Sequence, residues 1–107
     1  MAGMHLPNEL ARGAIGSMPS AGVCDVLVTI FNAWQAGDTA RARAIHQQVL
    51  PLLVLEMSAW MAVSKEMLLR RGVFTSTLMR DPEFLPLDAG DQAEIDALWP
   101  LISPLLG

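Results

Sequence analysis

The chain has 107 residues, at most one domain's worth, with 52% apolar and only 17% charged residues, a balance that excludes disorder. Net charge is −4 and the basic residues are scattered apart from Arg41/Arg43 and Arg70-Arg71, so the basic face that nucleic-acid binding needs is missing. The longest apolar run, residues 49–55, falls far short of the roughly 20 residues of a membrane span.

No basic region followed by an apolar stretch opens the chain, and the single Cys24 excludes an internal disulfide. Both point to a cytoplasmic protein. Small helical units normally carry a more polar outer face, so the apolar surplus implies a surface covered by further chain or by a partner subunit.

In chain order, residues 6–12 read as a short helix, with Pro7 tolerated near its start and Gly13 able to end it. Residues 13–18, with Ala14, Ile15 and flanking glycines, read as one short buried strand opening onto a loop. A lone strand cannot satisfy its own backbone N–H and C=O groups, so it belongs to a sheet made by something else. Everything after Pro19 reads as helix and loop. Residues 22–36 place Val23, Val26, Leu27, Ile30, Phe31 and Trp34 on one apolar stripe; Gly37 stops that helix and Asp38 caps the next.

A second helix is predicted from Thr39 to about Trp60, with Ala42, Ile45, Val49, Leu52, Leu53 and Met57 inward and a kink at Pro51. A third covers about 61–71 and ends on Arg70-Arg71-Gly72, cations at a negative helix end followed by a glycine stop. Residues 73–87, with two X-Pro steps, read as an extended loop. A last helix starts near Asp88 or Asp91, carries Ile95, Leu98, Ile102 and Leu105, and ends irregularly at Pro100 and Pro104.

No residue set supports catalysis within this chain. Lys65 is the only lysine, but the adjacent Glu66 holds an ammonium charged, which favours a structural lysine bound to a carboxylate or carbonyl over a Schiff-base nucleophile. His5 and His46 lie far apart without partners at metal-ligand spacing, so His46 reads as solvated or locally hydrogen-bonded, and no metal or cofactor is implied. Cys24 reads as a small packing residue. Asp88, Asp91, Glu94 and Asp96 cluster at a helix start, where capping and dipole compensation account for them.

The order of features is more specific than any one of them. Arg12-Gly13-Ala14-Ile15-Gly16-Ser17-Met18-Pro19 leads to Asp25 and an amphipathic helix closed by Gly37-Asp38. Ala40-Arg41-Ala42-Arg43, Leu50-Pro51-Leu52-Leu53, Lys65-Glu66-Met67-Leu68, Arg71-Gly72-Val73 and Arg80-Asp81-Pro82 follow. This series resembles the C-terminal third of the dihydrodipicolinate synthase / N-acetylneuraminate lyase family, over nearly the whole chain.

The resemblance implies a mainly α chain: the last β/α unit of a (β/α)₈ TIM barrel (residues 1–37, strand 13–18, helix 22–36) followed by a C-terminal helical extension (residues 38–107). It implies a homo-oligomeric lyase or aldolase that forms a Schiff base with pyruvate or another 2-oxo acid. The family's Schiff-base lysine and proton-relaying tyrosine lie on earlier strands; this chain has no tyrosine, and Lys65 falls where the family has a structural helix lysine. The expected catalytic set here is therefore empty, and the chain is expected to be an inactive fragment when alone. Ile15 is the one substrate-binding position implied, with Ser17 and Met18 at the strand's C-terminal end. The alternative from the residues alone is a non-catalytic helical protein-interaction module.

Overall fold

A computed structural model describes residues 2–107. Four α-helices carry the fold: α1 (Leu6–Ala11), α2 (Cys24–Gln35), α3 (Thr39–Arg70) and α4 (Ala89–Ile102), with a 3₁₀ turn at Ser103–Leu105. Among the described residues there is no strand. Residues 14–20, which include most of the expected strand, have no regular structure. A four- to six-residue segment acquires strand geometry only from a neighbour's ladder, and this chain supplies none.

The glycine stops act as expected. At the end of α2, Gly37 has φ +83°, its N–H reaches the Trp34 carbonyl at 3.0 Å, and the Asp38 N–H reaches that of Ala33 at 2.9 Å. This paired closure needs a left-handed residue, which glycine adopts without a Cβ clash. Gly13 and Gly72 close α1 and α3 with the same pair of bonds. Helix starts are equally local. Asp38 Oδ1 accepts from the Arg41 N–H at 3.1 Å, and Asp88 and Asp91 form a reciprocal capping box at the start of α4.

Helix α3 touches α1, α2 and α4, and one continuous core runs through Leu6, Val26, Ile30, Val49, Leu52, Leu53, Val63, Met67, Ile95 and Ile102. Pro51 keeps helical φ/ψ within α3: Pro51 and Gln47 are both exposed, so the carbonyl that loses its hydrogen bond can turn to water. The break falls instead at Ala59 (φ −128°, ψ 17°) and Trp60 (φ 10°, ψ −97°), at the expected boundary between the second and third helices. Ser58 Oγ donates to the Leu55 carbonyl at 3.0 Å just before it, the kind of side-chain competition that bends helices. Without the break, the step from Glu56 to Trp60 to Val63 to Met67 would drive the indole inward. With it, Trp60 is half exposed and meets Phe84 edge-on, with ring centroids 5.8 Å apart. One expectation for α3 is corrected: Met57 lies outside and Glu56 takes the inward position.

Arg70 and Arg71 do more than suit a helix end. Arg70 bonds Glu66 at 2.9 Å and Asp96 of α4 at 2.6 Å. Arg71 forks onto both oxygens of Asp25 at the start of α2 (2.9 and 2.6 Å) and also donates to the Gly22 carbonyl at 2.9 Å. The Gly107 N–H donates to Asp25 as well, at 2.8 Å. Burial alone would raise the Asp25 carboxyl, but Arg71, the Gly107 amide and the Val26 amide outweigh it and hold it below the ordinary value.

The clamp therefore contributes fully above the unfolded-state carboxyl value and is lost as pH falls through the depressed one. Arg71→Ala is expected to cost about 2 kcal/mol at neutral pH, as loss of hydrogen bonds to a charged group does. Asp25→Asn should flatten the acid side of the stability profile below about pH 4. Thermal melts from pH 2.5 to 7 check both.

Candidate functional site

The surface with most to offer a ligand or partner is built around residues 15–21, the irregular segment between α1 and α2. It forms a wall of two grooves. The first, about 210 Å³, runs along α2 and is lined by Leu6, Ile15, Pro19, Cys24, Val28 and Phe31 among others. The second, about 580 Å³, lies between Met18–Ala21 and the C-terminal part of α3, with Trp60, Ser64, Lys65 and Phe74 opposite. Pro19 lines both.

Helix α2 explains the first groove. Val26, Leu27, Ile30 and Ala33 are spent on the core, leaving Cys24, Val28 and Phe31 on a neighbouring stripe. Val28 is half exposed and Cys24 is exposed, which corrects the expectation that Cys24 packs inside. Ile15 is 92% and Met18 91% exposed. Ile15, the implied substrate-binding position, thus stands on an open wall rather than in a closed pocket, with Ser17 beside it.

Lys65 has a structural bond. Its Nζ donates to the Leu78 carbonyl at 2.6 Å and, with the Trp60–Phe84 contact, fastens the loop after α3. Of the two histidines, His5 is exposed and His46 is buried, its Nε2 donating to the Gly3 carbonyl at 2.8 Å. That partner is 43 residues away, not local as expected. Gly3 is tightly placed: a Cβ there would sit 2.6 Å from Leu27 Cδ1.

One polar residue escaped the sequence reading. Glu56 is 3% exposed and its Oε1 has no hydrogen-bond partner; the nearby Ser20 Oγ is also buried and unpartnered. Burial pushes the Glu56 carboxyl up, and the neighbouring Ser20 hydroxyl offsets part of that without closing a well-formed hydrogen bond. The signal was present as spacing, since Ile45, Val49, Leu52 and Glu56 follow four-, three- and four-residue steps.

Among the described residues, no three His, Cys, Asp or Glu side chains converge to hold a metal ion, and no helix is long and apolar enough to cross a membrane. No protein-family model, curated protein or solved structure matches the chain.

Lys65 lacks what a Schiff-base nucleophile needs: its ammonium is bound to a carbonyl at the edge of an open groove. Treatment with pyruvate and borohydride should therefore leave the mass of the protein unchanged. A pyruvate adduct on Lys65 would overturn its structural role.

Proposed function

We propose that the chain is the C-terminal part of a dihydrodipicolinate synthase-like lyase or aldolase that forms a Schiff base with pyruvate or another 2-oxo acid. Residues 13–18 would be the last barrel strand, α2 the last barrel helix, and residues 38–107 the helical extension. The observation that carries the reading is the apolar surface shared by two adjacent elements. Residues 13–18 have no ladder, Ile15 is almost fully exposed, and beside it α2 turns Cys24, Val28 and Phe31 into an open groove. A helix following a parallel strand covers the sheet with such a stripe, and barrel strands are short and apolar.

In that setting Ile15 lines the 2-oxo acid pocket, and the nucleophile and the proton relay come from strands outside this chain. The reading further entails a homo-oligomeric cytoplasmic enzyme without a metal or organic cofactor. The second reading, a non-catalytic helical interaction module, is favoured by the continuous core that the helices close by themselves. It assigns the same exposed surface to a different protein partner.

Each ~100 Å² of apolar surface withdrawn from water is worth roughly 2.5 kcal/mol, so an uncovered strand and helix face drive association. Sedimentation velocity at tens of micromolar should show the isolated chain self-associating, and Ile15→Lys combined with Val28→Glu should return it to a monomer. A sharply monomeric wild-type chain would favour the interaction module over the barrel reading.

A further inference from the structure

We infer that the larger groove, between residues 18–21 and the C-terminal half of α3, binds a medium-chain fatty acid, with the alkyl chain along its apolar wall and the carboxylate at Lys65. The groove holds about 580 Å³, within the roughly 300–1,000 Å³ range of small-molecule sites. Its wall is mostly apolar and reaches solvent: Met18 is 91%, Trp60 51% and Phe74 39% exposed, and Met61 and Leu68 complete it. The break in α3 builds this wall. Non-helical dihedrals at Ala59 and Trp60 keep the indole out of the core and leave it beside Met61 on the groove. Unbranched methionine side chains on both sides, Met18 and Met61, adapt their shape to a flexible alkyl chain.

The charge at the groove fits a carboxylate head. Lys65 is the only lysine of the chain and the only charged residue lining the groove, so no aspartate or glutamate opposes an anion there. Its ammonium has three donors, of which the Leu78 carbonyl takes one, and a neutral carbonyl leaves the charge unmatched. Among the described residues the ion pairs are Arg70–Glu66, Arg70–Asp96 and Arg71–Asp25, and none includes Lys65. Glu66, next to it in sequence, is spent on Arg70.

One uncompensated cation at the edge of an apolar wall matches a ligand with one negative charge and an apolar tail. A head group held at that edge keeps part of its water, so it escapes the cost of burying a charge. The smaller groove supplies the contrast. Its walls are apolar too, but no charged residue lines it, so nothing there orients a carboxylate. The site is made by residues 18–21 and α3 alone, and it does not depend on which reading of the chain's function holds.

NMR titrations of the full chain with sodium octanoate, and in parallel with 1-octanol, test the inference. Octanoate should bind saturably, shifting the Trp60 indole N–H and the amides of Ala21, Ser64 and Lys65 while those of Val28 and Phe31 in the smaller groove stay still. It should bind about two- to fivefold more tightly than octanol, the span that an exposed ion pair provides. Lys65→Met, which keeps an apolar stem, should weaken octanoate to the level of octanol, and Lys65→Arg should preserve the gap. The inference is overturned by an absence of saturation at millimolar octanoate, by shifts centred on Val28 and Phe31, or by octanol binding as tightly as octanoate. A gap that survives in Lys65→Met overturns it as well. Should Lys65→Met fail to fold, the octanoate–octanol gap and the shift map of the unaltered chain decide alone.

Discussion

Burial of one face of α3 is the constraint on which the rest of this structure depends. Ala42, Ile45, Val49, Leu52 and Leu53 join Val26, Leu27 and Ile30 in one buried cluster, and α3 packs against each of the other three helices. Once that face is turned inward, the remaining positions follow from helical geometry: α1 adds Leu6 and Leu10 at one end, and α4 adds Ile95, Leu98 and Ile102. The same constraint takes Glu56 inside, since it continues the stripe one turn beyond Leu52 and Leu53. An acidic side chain in an apolar row is the cost of keeping that register, and the break at Ala59–Trp60 resets the register directly after it, before Val63 and Met67 resume the core.

The ends of α3 are held differently from its middle. Arg70 reaches α4 while Arg71, one residue on, points to α2 and takes Asp25, Gly22 and the Gly107 region. Two consecutive arginines on different sides of a helix thus brace it against two partners. These pairs are only partly buried, so their weight lies in geometry as much as energy: the forked Arg71–Asp25 contact sets where α2 begins. The irregular segment 14–20 lies between anchored neighbours, α1 seated by Leu6 and Leu10 and α2 pinned through Arg71. It is presented as a surface without a ladder of its own.

Much of this was legible in the sequence because it is governed locally. Gly13, Gly37 and Gly72 end helices where a left-handed residue was needed, Asp38 and Asp88 begin them, and the α2 and α4 stripes are those read from three- and four-residue spacing. Pro51 keeps helical dihedrals where its freed carbonyl can face water, and that exposure is a tertiary property. Glu56 and Met57 both continue the stripe by a four-residue step, from Leu52 and Leu53, and only the packed helix shows that the acid is the one turned inward. Cys24 is exposed because α2 spends its core face on neighbouring positions, which the cysteine's own chemistry does not reveal. For the candidate site, the sequence marked Ile15, Ser17 and Met18 as one segment. The two grooves on either side of it, and the partners of Lys65, His46 and Arg71, come from residues distant in sequence.

The central proposal is that residues 15–18 become a strand in a sheet supplied by further chain, and they are displayed on a helical body with its own continuous core. Amide hydrogen exchange on the isolated chain measures this most directly, because protection reports whether each N–H has a lasting partner. The account predicts that the amides of Ile15, Gly16, Ser17 and Met18 exchange at close to unfolded-chain rates, while those of Val49, Leu52 and Leu53 are protected to the level of global unfolding. Protection of residues 15–18 comparable to that of the α3 core in a monomeric sample would contradict it, since the segment would then be satisfied within this chain and would call for no sheet from elsewhere.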